Sequence, residues 1–315
     1  KTYYPTTTRL NIPRVSYLNN SNGSLLLESQ RTNLVTYSES FDNAYWTKAN
    51  ATITANDTTS PDGTTNADKL IADNLSTLGS AYLQQNESIG ADAYTISIFA
   101  KKGEFNTIQL YIRDNASASN NASAKFNLET GIVSDNTDSG IITYVSGETI
   151  ELIDGWYKCS LTFSTSSAIT IRTRYFVLDS VSTTGDGTSG VYIYGAQLEE
   201  GSYSTSYIPT SGTTVTRLAD ASATTGLSDV INSTEGVLYA ELQNEDIGRV
   251  SLSDGTYNNL ILIQKDYRTS NIILVNFKIG GAGNSISGTG VSGFNKIAIK
   301  WDSTSMTMHL NGVLI

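Results

Sequence analysis

Alternation with a period of two is the feature that most constrains this chain. Apolar and polar side chains take turns along Tyr94–Phe99, Thr107–Ile112, Lys158–Phe163, Thr170–Val177 and Val191–Tyr194. Successive side chains of a strand point to opposite faces, so such runs suit half-buried strands and not helices. Turn chemistry separates them, at Pro61-Asp62-Gly63, Lys102-Gly103, Glu129-Thr130-Gly131, Asp154-Gly155 and Gly185-Asp186-Gly187. The composition agrees. Of 315 residues, 79 are Ser or Thr, 26 Gly and 18 Tyr, a mixture that favours short strands and tight turns. The expected class is all-β, as two antiparallel, jelly-roll-like β-sandwich domains preceded by an extended N-terminal arm. A short helical turn is allowed only around Ser40–Trp46.

A polar Pro/Gly/Thr segment at Tyr207–Thr214, followed by the Ala/Thr/Ser-rich Ala219–Thr225, marks a boundary. Alternation returns at Glu235–Leu242 and continues to Met306–Leu310, where Asn311-Gly312 suits a two-residue hairpin turn. The expected division is an arm at 1–29, a first sandwich at 30–208, a linker at 209–227 and a second sandwich at 228–315. Within 198–218, Tyr203, Tyr207, Ile208 and Pro209 are too apolar for a free tether. Tyr207 and Ile208 are therefore expected to be buried against the first domain. The chain opens on Lys1 and ends in an apolar run, as a piece of a larger protein would.

Thirty acidic against twenty basic residues give a net charge of −10. That surface repels phosphate backbones and anionic lipid, so neither nucleic acid nor membrane is an expected partner. The one cysteine, Cys159, excludes an internal disulfide and cysteine-based metal sites. It sits in an apolar run beside Trp156 and Tyr157 and is expected to be a buried small hydrophobe. The one histidine, His309, is expected to be an ordinary strand residue.

Ile12–Tyr17, Gly23–Glu28 and Gln30-Arg31-Thr32-Asn33-Leu34 resemble a signature segment of tailed-bacteriophage fibre, spike and head-appendage proteins. The resemblance continues through Tyr37–Trp46 and Ser60–Leu70, which are also similar to the opening of jelly-roll carbohydrate-binding modules. Gly195–Gly201 and Thr205–Thr210 resemble the last strand and exit of the same phage modules. The stretch 228–315 resembles the first part of a laminin-G/concanavalin-like sandwich, Leu310–Val313 matching its hairpin. That likeness is partial, and 228–315 alone is expected to be too short to close such a sandwich.

A sugar-binding face needs rings to stack on apolar sugar faces and amide or guanidinium groups for hydroxyls. Tyr82, Tyr94, Tyr111, Tyr144, Tyr175, Tyr192 and Tyr194 are candidate rings, with Gln84 among the polar neighbours. The strands around 109–113 and 171–175 put polar groups on one face, so Gln109, Tyr111, Arg113, Arg172, Arg174 and Tyr175 are the expected glycan-binding residues. Trp46 and Trp156 suit the core. The likeness to carbohydrate-binding modules further implies a structural calcium, a hard cation wanting several loop oxygens. Its matching positions are Glu39, Asp42, Asp62, Asp68 and Glu199. Arg31 and Asn33 are expected to bond backbone carbonyls or an acid where the arm meets the domain.

No pair of carboxylates sits in a defensible catalytic motif, so the expected function is non-enzymatic. The resemblance implies a virion-surface appendage (fibre, spike or head fibre) that binds host-surface or environmental glycans. It implies other virion proteins as partners and a homo-oligomer, with a trimer favoured. Two further readings stand beside it. One is an accessory carbohydrate-binding module of a secreted polysaccharide-degrading enzyme or adhesin. The other is a structural spacer or capsid decoration without ligand.

Overall fold

The computed structural model describes residues 15–16, 24–220, 225–226, 231, 234–243, 249–265, 272–291, 294–302 and 304–315. Its regular secondary structure is almost entirely strand. Chain order runs β1 (Val15–Ser16), β2 (Ser24–Leu25), β3 (Arg31–Asn33), β4 (Thr47–Ala49), β5 (Ala51–Thr59) and β6 (Thr65–Ala72). Next come β7 (Tyr82–Ile89), β8 (Ala93–Lys102), β9 (Thr107–Asp114), β10 (Asn121–Asn127), β11 (Val133–Ser139) and β12 (Ile142–Glu151). The first unit is completed by β13 (Trp156–Thr165), β14 (Ile169–Leu178), β15 (Gly190–Glu200) and β16 (Val215–Arg217). The second carries β17 (Gly236–Gln243), β18 (Arg249–Ser253), β19 (Leu260–Lys265) and β20 (Ile272–Ile279), then β21 (Ala282–Thr289), β22 (Phe294–Trp301), β23 (Met306–Leu310) and β24 (Val313–Leu314). The helical content among the described residues is two three-residue 3-10 turns, Leu78–Ser80 and Ile153–Gly155. Around 40–46 the chain makes tight turns, with Asn43 N–H on Ser40 C=O and Trp46 N–H on Asn43 C=O, and no helix.

Two compact units emerge, one holding 30–218 and one holding 219–315 together with the described residues 15–16 and 24–29. The first is an antiparallel sandwich. Its strands pair in the order β4-β7-β14-β9-β10-β11-β12-β13-β8-β15-β6-β5, and β11 and β12 share only the Ser139–Ile142 pair. The series folds over there into a front layer ending at β11 and a back layer starting at β12. The chain crosses between layers from β7 to β8, β8 to β9, β13 to β14 and β14 to β15, the winding of a jelly roll. Alternation fills the space between them. Leu83, Ile108, Leu110, Ile112, Phe126 and Tyr175 from the front meet Ile96, Ile98, Leu161, Phe163 and Leu198 from the back in one buried cluster. Cys159 lies inside it, as expected, and burial pushes its thiol pKa up. Trp46 is buried in the same cluster, and Trp156 in a smaller one on the outer side of the back layer.

A bulge between Tyr194 and Gln197 keeps β15 two-faced: Val191 and Ile193 point inward before it, Ala196 and Leu198 after it. Gly195 at the bulge has φ +62°, and a Cβ there would lie 2.9 Å from the Phe99 ring and 3.1 Å from that of Tyr207. Only glycine fits both the backbone and the space.

Residues 209–218, expected as linker, belong to the first sandwich. The Thr210 hydroxyl donates to Val35 C=O at 2.7 Å, and β16 pairs with β3. Polar composition suggested a tether, but these polar groups are spent on the chain entry. The rest of that linker, 219–227, is described only at 219–220 and 225–226. Of the arm, Pro5, Arg9, Pro13 and Arg14 lie outside the described residues. Arm strands β1 and β2 pair with each other, and Glu28 N–H donates to the Asp220 carboxylate at 2.8 Å.

The second unit closes its sandwich, against expectation. Sheets β17-β22-β23-β24 and β18-β19-β20-β21 enclose one core of Ala240, Ile261, Ile263, Ile273, Val275, Ile297, Ile299, Trp301, Met308 and Leu310. The meander β18 to β21 supplies a full layer by itself, which the likeness to part of a larger family did not convey. Asn311 (φ 52°) and Gly312 (φ 85°) make the left-handed hairpin turn between β23 and β24, and His309 is a paired residue of β23.

Candidate functional site

The outward positions of the front layer form a grid whose rows follow from register. Asn86, Arg172, Arg113 and Asn121 are cross-strand neighbours in one row. Gln84, Arg174, Tyr111 and Ser123 form the next, and Tyr82, Phe176, Gln109 and Lys125 the third. Strands lie about 4.8 Å apart and alternate residues about 6.6 Å, so the grid covers roughly 14 by 13 Å. That is room for a short oligosaccharide lying flat.

Its aromatic floor is continuous. Tyr82 meets Phe176 edge-on at 4.9 Å between ring centroids, and Tyr111 meets Phe176 at 6.0 Å. The Arg174 guanidinium lies 4.5 Å over the Tyr82 ring and its Nε donates to Gln84 Oε1 at 2.8 Å. Arg172 Nε donates to Asn115 Oδ1, and Arg113 Nε to Asp114 C=O at 3.4 Å. The pKa of Arg174 is lowered, first by burial; Tyr82 opposes that shift, and the neighbouring charges of Arg113 and Arg172 add to it. Lys125 is the one basic group on the grid with an acid, Asp135 at 2.7 Å.

Five of the six expected glycan-binding residues therefore share this face: Gln109, Tyr111, Arg113, Arg172 and Arg174. Tyr175 does not. It is fully buried in the core, edge-on to Trp46 at 5.7 Å, and its hydroxyl has no partner among the described residues. The reason is the strand period itself, since residues 174 and 175 must face opposite ways. Phe176 takes the place on the grid that Tyr175 was expected to hold. Once Arg172 and Arg174 define the outward parity, residue 176 follows, but an apolar side chain there reads as core. Of the other candidate rings, Tyr82 joins the face, while Tyr94 and Tyr194 are buried in the back layer.

The outer side of the back layer is a different surface. The entry 31–38 and the exit 201–212 seal it. Tyr207 and Ile208 are buried, as expected; Tyr207 stands edge-on to Phe99 at 5.8 Å and Tyr194 at 5.5 Å. The Ile208 amide donates to Gln197 Oε1 at 2.7 Å, and buried Lys158 donates to Thr205 C=O. Asn33 serves four backbone groups, its amide donating to Ala196 and Ile208 C=O and its oxygen accepting from Val35 and Leu198 N–H. Arg31 lies over Gly201 and Tyr203, with Nε 3.7 Å from Glu199. The arm signature thus acts as a clasp between chain entry and exit.

The five carboxylates expected around calcium are dispersed. Glu199 accepts from Gln197 and from the Thr205 amide and hydroxyl. Asp68 accepts from the Phe41 and Asn56 amides. Asp62 accepts from Ser60 and Thr64, and Asp42 is exposed. Glu39 and Asp62 do meet, at the Tyr194 hydroxyl, 3.2 and 3.0 Å away. Burial and those two carboxylates push the Tyr194 pKa up. Among the described residues no three His, Cys, Asp or Glu are grouped to hold a metal ion.

A recess of about 410 Å³ lies between 30–34 and 88–94, away from the grid, lined by Arg31, Leu34, Gly90, Tyr94 and Glu200 among others. Arg31 is already engaged there, whereas on the front grid Tyr82, Gln109, Tyr111 and the three arginines are half-exposed, with Phe176 and Ser123 buried between them.

No family model and no curated protein matches the chain. Among solved structures it is similar to a "putative sugar binding protein" of Bacteroides thetaiotaomicron, at 14% identity over 53% of this chain and 93% of that one, with a TM-score of 0.28. At that score the likeness carries no argument, and the site stands on its geometry.

Proposed function

We propose that this chain is a non-catalytic glycan-binding module, and that the front grid is its binding face. The observation that carries the reading is the juxtaposition of Tyr111, Tyr82 and Phe176 with Gln109 and three arginines on one face of the front sheet. Rings offer apolar stacking surface, while guanidinium and amide groups bond hydroxyls at the rim. The finer reading is a bacteriophage virion appendage displayed on the particle surface and assembled as a homotrimer. It is supported by the likeness of 12–17, 23–28 and 30–34 to phage appendage proteins.

A glycan array probed with the whole chain tests the first part. Weak binding that strengthens when the protein is clustered is expected, because shallow single sites rely on avidity. Tyr111→Ala should abolish that signal with the fold intact; an unaltered signal would move the site elsewhere, and silence on every glycan would favour a spacer. Immunogold labelling of phage particles and light scattering of the purified chain test the virion and trimer assignments.

A further inference from the structure

We infer that the glycan bound by the front grid is acidic, carrying a carboxylate or sulfate that the Arg113–Arg172–Arg174 cluster receives. This rests on the proposal that the grid binds glycans, and adds the chemical class.

Three observations support it. First, Arg172 and Arg113 are direct cross-strand neighbours, with Arg174 beside them. Like charges placed opposite each other destabilise a sheet, yet no carboxylate pairs with any of the three among the described residues. Second, each guanidinium makes its hydrogen bond through Nε alone, Arg113 to Asp114 C=O, Arg172 to Asn115 and Arg174 to Gln84, and Arg174 is further held over the Tyr82 ring. No hydrogen bond among the described residues uses their Nη nitrogens. The forks are thus oriented while their bidentate donors stay open, the geometry that suits a planar carboxylate or a sulfate. Because the stems are already held, less rotamer entropy is lost on binding. Third, the placement runs against the whole molecule. A chain with net charge −10 repels a polyanion at long range, so a site for one needs a concentrated local patch of positive charge. Acids near the cluster are engaged elsewhere: Asp114 accepts from Ala116 N–H and Asn120, and Asp135 holds Lys125.

The test uses the whole chain with four immobilised sugar probes (polygalacturonate, the same polymer with its carboxyls reduced, heparin and dextran) and single-stranded DNA as a fifth. Polygalacturonate, heparin or both should bind, and the reduced polymer and dextran should bind at least tenfold more weakly. Arg113→Gln with Arg172→Gln should weaken acidic binding about tenfold to hundredfold, as expected for losing charge-assisted hydrogen bonds. Removing the like-charge pair should leave the melting temperature unchanged or higher, which separates lost recognition from lost fold. Raising salt from 50 to 500 mM should weaken the acidic arm, since exposed charges are screened. Polygalacturonate alone would assign the carboxylate; heparin alone would assign the sulfate. Equal binding of the reduced polymer, or a double variant as good as the parent, would overturn the acidic class while leaving the grid as a glycan site. Binding by all four that survives Tyr111→Ala would overturn the grid itself. Single-stranded DNA bound as tightly as the acidic sugars would overturn sugar recognition.

Discussion

The two outer faces of the first sandwich begin from similar material and end differently. Both present Tyr, Thr, Ser, Gln and basic side chains at outward strand positions. On the back layer these groups are buried under the chain's own entry and exit, and nearly every one is satisfied within the protein: Gln197 by Ile208 N–H, Glu199 by Thr205, Lys158 by Thr205 C=O. On the front layer the three guanidinium groups are half-buried, and no hydrogen bond among the described residues uses their Nη donors. Buried polar groups must find internal partners or cost stability, whereas exposed ones can await a ligand. One face was therefore turned into structure, and the other keeps polar groups at the surface.

The sharpest way to break this comparison is to make the same cut on each face. Tyr207→Ala should cost about 3–5 kcal/mol in urea unfolding, the range for deleting a buried aromatic side chain. Tyr111→Ala should cost no more than about 1 kcal/mol, since its ring reaches solvent. Equal losses would show that the two faces do not differ in kind.

A second effect belongs to the back layer and is read by pH. Asp68 is buried on β6, and that burial raises its pKa to about 6, although two backbone amides favour the charged form and Lys48 helps them. A carboxyl with a higher pKa in the folded chain than in the unfolded one holds its proton more tightly when folded. Its stabilising contribution is complete below about pH 4 and is lost as pH rises through 6, up to roughly 3 kcal/mol. Parent and Asp68→Asn should therefore diverge between pH 4 and pH 7, the parent losing ground. Parallel stability curves would show that Asp68 titrates as an ordinary exposed acid.

The smallest expected effect concerns calcium. Glu199, Asp68 and Asp62 are each engaged by protein donors, so 5 mM calcium or excess EDTA should move the melting temperature by less than about 1 °C. A calcium-dependent rise that Asp62→Asn removes would instead make the Glu39–Asp62 meeting at Tyr194 a cation site, and the back layer would have a ligand of its own.

Strand content, the hairpin at Asn311-Gly312, the core roles of Trp46, Trp156 and Cys159 and the docked Tyr207 were all legible, because each depends on local alternation or on apolar bulk in a polar context. The site was half legible. Arg172 and Arg174 share a parity that any strand imposes, but Tyr175 was set beside them against that same parity. Phe176 was missed because its apolar side chain reads as core, although the parity of Arg172 and Arg174 turns it outward. The closure of the second sandwich was missed for another reason: a family likeness counts the strands that match, not the apolar area the remaining strands can bury.

By itself, then, the sequence determined that this chain forms sheets, where most strands turn, and which side chains share a face within any one strand. Those are consequences of a two-residue period and of turn stereochemistry, both local. Only the tertiary structure decided which strands lie side by side, and so that Arg113 stands opposite Arg172, that Tyr82 and Tyr111 flank one phenylalanine, and that Asn33 clasps Ala196 and Ile208. Such contacts join residues far apart in the chain, through register between strands that no local pattern encodes.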